Sequence, residues 1–180
     1  MPALTPTNGP ALLLYKARRM IAESATFQNA TGTTSDRDNA KLKVFVREFD
    51  PLDSRNQPER PCACISIDGY EYASPGNLFM HPKQAVVFCY LAQDTPIAYR
   101  DDPVDAYINA LNFVGGVMQD LADISGKDQT YDTDITDSEA FIRPELLKLE
   151  ETPEDRWGAN ETDRYFYAAL ALHWSNTGTD

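Results

Sequence analysis

The chain has 180 residues, enough for one domain with a sizeable core and cramped for two. Hydrophobic residues at 42% and charged residues at 24% fit a globular protein rather than a disordered or fibrous one. The formal net charge of −12 repels phosphate backbones, which argues against a DNA-binding surface but suits a conduit through which DNA slides without sticking.

No apolar run approaches the roughly 20 residues of a membrane helix. The stretch Ala11-Leu12-Leu13-Leu14-Tyr15 is followed, not preceded, by Lys16, Arg18 and Arg19, the wrong order for a signal peptide. Residues 1–9, with Pro2, Pro6 and Gly9, read as an extended arm. A helix then starts near Pro10, capped by Asn8 or Gly9, and runs to about Phe27–Ala30. Leu13, Ala17, Met20, Ile21 and Ser24 share its inner face, and Lys16, Arg18, Arg19 and Glu23 lie largely on the outer one.

A polar loop over Thr31–Asp36 leads to a first strand, Lys41–Phe49, ended by Asp50-Pro51. Cys62–Asp68 is a second strand and Gly69–Pro82 an irregular connection with a Pro75-Gly76 turn. Gln84–Ala92 is a third strand, and its unbroken apolar run predicts a central place covered on both faces. A long helix follows Asp101 or Asp102 as cap and Pro103 in its first turn. Its apolar stripe is Val104, Ile108, Leu111, Val114, Met118, Leu121 and Ile124; Gly115 and Gly116 allow a neighbour to approach closely, and Gly126 is a stop.

An acidic loop, 127–139, precedes two closing strands, Phe141–Leu149 and Asp163–Trp174, joined by a charged link that contains Pro153. The last strand is apolar on both faces and rich in aromatics, as a central strand is, or a strand covered on one face by a neighbouring subunit. The order α-β-β-β-α-β-β predicts an α+β fold: one mixed or mainly antiparallel sheet of about five strands with two main helices packed on it. The domain spans 10–174, and 175–180 form a flexible tail.

Catalytic and metal signatures are weak. The two histidines, His81 and His173, have no nucleophile context, and a Cys89–His81 dyad is outweighed by a buried thiol beside a surface histidine. Cys62 and Cys64 share one strand face, a spacing that suits core packing better than a zinc knuckle. The odd count of three cysteines fits reduced, buried thiols. Asp128, Asp132, Asp134, Asp137 and Glu139 cluster in one loop without the glycine or the twelfth-position glutamate of a calcium loop. They read as a solvated loop, with cation binding or contact with a basic neighbouring subunit as the functional alternatives. Phosphate-cradling, hydrolase, zinc-protease and kinase motifs are missing from the sequence.

The helix Leu12–Glu23, the strand Pro61–Ile67 and the closing strand Tyr165–Trp174, in this order of elements, resemble tail-terminator and related neck proteins of long-tailed phages. The resemblance covers about residues 10–174 and rests on pattern rather than on an invariant motif. It implies a virion protein, assembled in the host cytoplasm, that forms a homo-oligomeric ring, commonly a hexamer, at the head-proximal end of the tail. Its partners would be other copies of itself, the tail tube protein and the head-side connector, with DNA passing through the lumen. It implies no cofactor, no catalytic residue and no membrane. The acidic loop 128–139 is the candidate assembly contact. A binding or adaptor module and a small enzyme with a cryptic site are the other readings.

Overall fold

The computed structural model describes residues 9–50, 57–72, 82–125, 140–157 and 163–176. The first helix, α1 (Gly9–Glu23), is separated from α2 (Ala25–Ala30) by Ser24. The sequence pattern predicts one continuous helix here. Ser24 instead turns its backbone to φ −57°, ψ 121°, and its hydroxyl accepts the N–H of Phe27, so it caps a new helix. A carboxylate from the long helix α4 (Pro103–Ser125) completes the junction. Asp120 Oδ2 accepts from the Ser24 hydroxyl at 2.7 Å and from the Thr26 N–H at 2.8 Å. Close approach is possible because residue 116 is glycine: a Cβ there would stand 2.8 Å from the Thr26 side chain.

The charged outer face expected of α1 is only partly found. Arg19 is buried, and its guanidinium stands 5.9 Å from the Tyr15 ring centroid. Arg18 reaches past the helix to donate to the carbonyls of Lys41 (2.8 Å) and Val44 (3.1 Å). The first strand is also shorter than predicted. Asp36 caps a short helix, α3 (Arg37–Ala40), by accepting the Asn39 N–H, and a 3₁₀ turn over Lys41–Lys43 follows. Only Val44–Val46 remain as β1, because the local capping hydrogen bonds wind the preceding residues into helix.

Strands β2 (Cys62–Tyr72), β3 (Pro82–Asp94), β4 (Ala140–Glu151) and β5 (Tyr165–Asn176) complete a five-stranded sheet of order β1-β2-β3-β5-β4. β1 runs parallel to β2, and all other pairs are antiparallel. The fold is therefore α+β with a mixed sheet. β2 and β3 extend into the region expected to be irregular, with the register shifting between Ile67 and Gly69. The edge strand β4 carries Pro144, where a missing N–H costs no ladder bond, and a second shift between Leu146 and Lys148.

The main core lies between one face of the sheet and the helices. Leu13, Ile21, Phe27, Phe113, Val117 and Leu121 pack on Ile65, Val87, Cys89, Leu91, Leu170 and Leu172. No described helix covers the other face, whereas the sequence predicts β3 to be covered on both faces. There Phe49, Cys62, Cys64, Ala92, Tyr165 and Tyr167 form a second, smaller cluster, with Phe49 stacked on Tyr90 at 5.5 Å. Val86, Phe88 and Tyr90 of β3 are consequently half-buried. β5 is central as predicted, and every residue from Tyr165 to Leu172 is buried.

The Ser24–Asp120 junction sets a test. Replacing Asp120 with Ala removes the acceptor for two donors and leaves the buried Ser24 hydroxyl short of a partner. We expect Asp120→Ala to lower the unfolding free energy by about 2 kcal/mol, the scale of hydrogen bonds to a charged group. Urea denaturation measures this, and an unchanged midpoint would mean that the carboxylate does not hold α2 against α4.

Candidate functional site

The long helix is where pattern and packing diverge. Among the seven residues predicted to form one inward stripe, Val114 and Leu121 are buried and Met118 and Ile124 are half-buried. Val104 is 65% exposed, Ile108 47% and Leu111 38%. At 3.6 residues per turn the stripe winds around the helix, so Val104 and Leu121 point about 100° apart. The buried face is instead Ala106, Ala110, Phe113, Val114, Val117 and Leu121. Ala106 and Ala110 are small enough to let α4 close onto Phe166 of β5 and Leu149 of β4. That contact fixes the rotation of the helix and turns Val104, Tyr107, Ile108 and Leu111 outward.

The first half of α4 is thus apolar on two faces. Its second half presents Gln119, Ala122 and Asp123 outward, an ordinary mixed surface. A helix apolar on both sides belongs in an interior, and one with a solvent-facing apolar stripe has room for a further partner. Val104, Tyr107 and Ile108 of this stripe form one wall of an open groove of about 580 Å³, with Leu149, Glu150 and Phe166 opposite. Tyr107 meets the Phe166 ring edge-on at 6.0 Å between centroids. Ile97, 80% exposed, precedes the helix, and Leu146 and Leu147 on the edge strand extend the apolar surface.

Glu150 and Glu151 are the acidic residues that line the groove. Asp101, Asp102 and Asp105 surround the helix start and are exposed. Asp102 Oδ1 accepts the N–H groups of Val104 (2.9 Å) and Asp105 (3.2 Å), as the cap predicted from sequence requires. On the strand side, Glu150 accepts from the Tyr167 hydroxyl at 2.6 Å and pairs with Lys148 at 2.8 Å. These contacts hold the Glu150 carboxyl below its ordinary range, Lys148 first and Tyr167 second. Glu151 faces inward and binds Arg164 at 2.6 Å.

The other candidate groups are not brought together for chemistry. Asp128, Asp132, Asp134, Asp137 and Glu139 lie outside the described residues, as does His81. Cys62 and Cys64 face the second cluster, whereas Cys89 faces the main core across the sheet, so the three thiols cannot share one ion. Among the described residues no group of three or more His, Cys, Asp or Glu could hold a metal. His173 pairs with Glu145 at 2.8 Å. No described helix is long and apolar enough to cross a membrane. In comparison with known proteins, no family model matches the chain and no curated protein matches it significantly.

The outward stripe was hidden in the sequence because its residues share the apolar character of the core face. The signal that could have separated them is the Ala106, Ala110, Phe113, Val117 series, which keeps closer to one face than the predicted stripe does.

The cysteines give a prediction of their own. Burial pushes the Cys89 thiol well above its ordinary range, whereas the hydrogen bond between Cys62 and Cys64 raises the one and lowers the other. In the unfolded chain these thiols ionise near pH 8.5, roughly the free value. The folded state holds the Cys89 proton longer, so the stability that this thiol contributes is full below that pH and falls as pH rises beyond it. We expect a lower urea midpoint at alkaline than at neutral pH. We also expect a thiol reagent to label all three cysteines only in denaturant; rapid labelling of the native chain would contradict their burial.

Proposed function

We propose that this protein is a structural virion protein that closes into a homo-oligomeric ring at the head-proximal end of a phage tail, where it terminates the tail tube and meets the head-side connector. One observation carries the reading: the apolar stripe of Val104, Tyr107, Ile108 and Leu111, exposed beside an edge strand that also exposes Leu146 and Leu147. A chain with a net charge of −12 has ample polar surface, and a contiguous apolar patch on it fits a protein contact. The resemblance in the order of elements supports the tail end as the place of that contact. A ring of six is the number that resemblance implies.

The work in this reading is done by surfaces. A heterologous contact repeated by rotation closes into a ring and leaves no exposed patch unpaired. The acidic balance then suits a lumen that DNA traverses without binding.

Light scattering on the purified chain, alone and with tail tube protein, tests this together with negative-stain imaging. We expect a mass several times that of the 20.1 kDa chain and ring-shaped particles under at least one of these conditions. A monomer under both, with no rings, would rule the reading out.

A further inference from the structure

One residue of β2 stands outside its ladder. Every residue of Cys62–Tyr72 has a Cα partner on β3 except Asp68: Ile67 lies opposite Val87 and Gly69 opposite Val86, so the count slips by one between them. A bulged residue is unpaired, and the ladder is broken around it. Asp68 is also exposed, whereas Cys62–Ile65 of the same strand are buried.

The next residue is glycine, and neither packing nor backbone conformation calls for one. A Cβ at Gly69 would meet no atom within 4 Å, and the only described glycine with positive φ is Gly32. Gly116 differs, because a Cβ there would press on Thr26. What Gly69 does supply is an amide nitrogen without a neighbouring side chain, next to an exposed carboxyl group.

These features meet the needs of one reaction. The nitrogen of the following residue attacks the side-chain carboxyl carbon of an aspartate. A C–N bond forms, the amide proton and a carboxyl hydroxyl leave together as water, and a succinimide ring results. Water then opens the ring. Opening at the side-chain carbonyl returns aspartate, and opening at the main-chain carbonyl leaves isoaspartate, with the backbone running through Cβ and Cγ. The sequence consumes and returns one water and needs no other reactant. A regular ladder opposes it, because pairing holds the aspartate ψ extended and keeps the next nitrogen away from the side chain. A bulky following residue opposes it by crowding the nitrogen. Neither obstacle stands at Asp68-Gly69, and the sequence has no second Asp-Gly pair.

We infer that Asp68 is a site of spontaneous modification, isomerised through a succinimide to isoaspartate in the folded chain. The product gains one backbone atom pair without a change of mass. Gly69–Tyr72 then cannot keep register with Pro82–Val86, whereas Cys62–Ile67, before the bulge, keeps its pairing with β1 and β3.

The experiment ages the native full chain at neutral pH and physiological temperature. Peptide mapping with electron-transfer fragmentation tells isoaspartate from aspartate at residue 68, and methylation by a protein isoaspartyl methyltransferase with S-adenosylmethionine counts the product independently. We expect isoaspartate to accumulate at residue 68, preceded by a form lighter by one water, and Gly69→Ala to lose both. Circular dichroism confirms that this variant folds. If it does not, Asp68→Glu, which would have to close a larger ring, removes the methyl-accepting product instead. Isoaspartate that forms at residue 68 in the urea-unfolded chain but not in the native one would overturn the inference, since the bulge would then hold the amide as firmly as a ladder. Equal accumulation at Asp68 and at exposed Asp101, or a methyl-acceptor count that Asp68→Glu leaves unchanged, would also overturn it.

Discussion

The sheet depends on its last strand entering the middle. β5 pairs with β3 on one side and β4 on the other, and among the described residues β4 has no other strand to pair with. Eight consecutive residues, Tyr165–Leu172, are buried, so the strand must be satisfied on both edges and both faces at once. Its Leu170 and Leu172 face the helices, and its Tyr165 and Tyr167 carry the smaller cluster on the other face. Burying each leucine fully stabilises the fold by roughly 1.5–3 kcal/mol. Until β5 is in place there is no edge at β4 and no groove beside α4.

A buried cation sets the position of the groove. Arg164, just before β5, is 5% exposed. It binds Glu151 on β4 at 2.6 Å, donates to the Arg100 carbonyl at 2.7 Å, and lies over the Trp157 ring at 4.2 Å. A buried charge with its partner removed is costly, and here the partners come from three separate segments. Glu151 also accepts from the Thr95 hydroxyl at 3.2 Å. The start of β5, the end of β4 and the turn leading into α4 are thereby tied at one point. The helix is anchored at its other end through Asp120, Ser24 and Thr26.

Between these anchors the rotation of α4 is decided by Ala106 and Ala110 against Phe166. Small residues on the inner face bring the helix close, and larger ones are left outside. The result is a helix with one apolar face in the core and a second, over its first half only, facing away. The opposite sheet edge exposes Leu42 and Val46. The protein thus exposes apolar side chains near both edges of one sheet.

Composition, the period of apolar residues, and local caps were enough to read the α+β class, the order of the main elements, the central place of β3 and β5, and the start of α4 at Asp102 and Pro103. These are properties of short segments, and their physical causes are local: alternation along a strand, hydroxyl or carboxylate caps, and proline in a first turn. Ser24 shows the limit. Its cap is local, but its choice between helix interior and cap is settled by Asp120, far away in the chain. The same holds for Arg18 and Arg19, whose inward placement depends on β1 and on Tyr15. The candidate surface was least legible of all. Val104, Ile108 and Leu111 are as apolar as Val114 and Leu121, so periodicity merges two faces of α4 into one stripe. Which face is buried is decided only when Phe166 and Leu149 arrive from strands more than thirty residues further along, because burial is a property of what a side chain meets and not of the side chain alone.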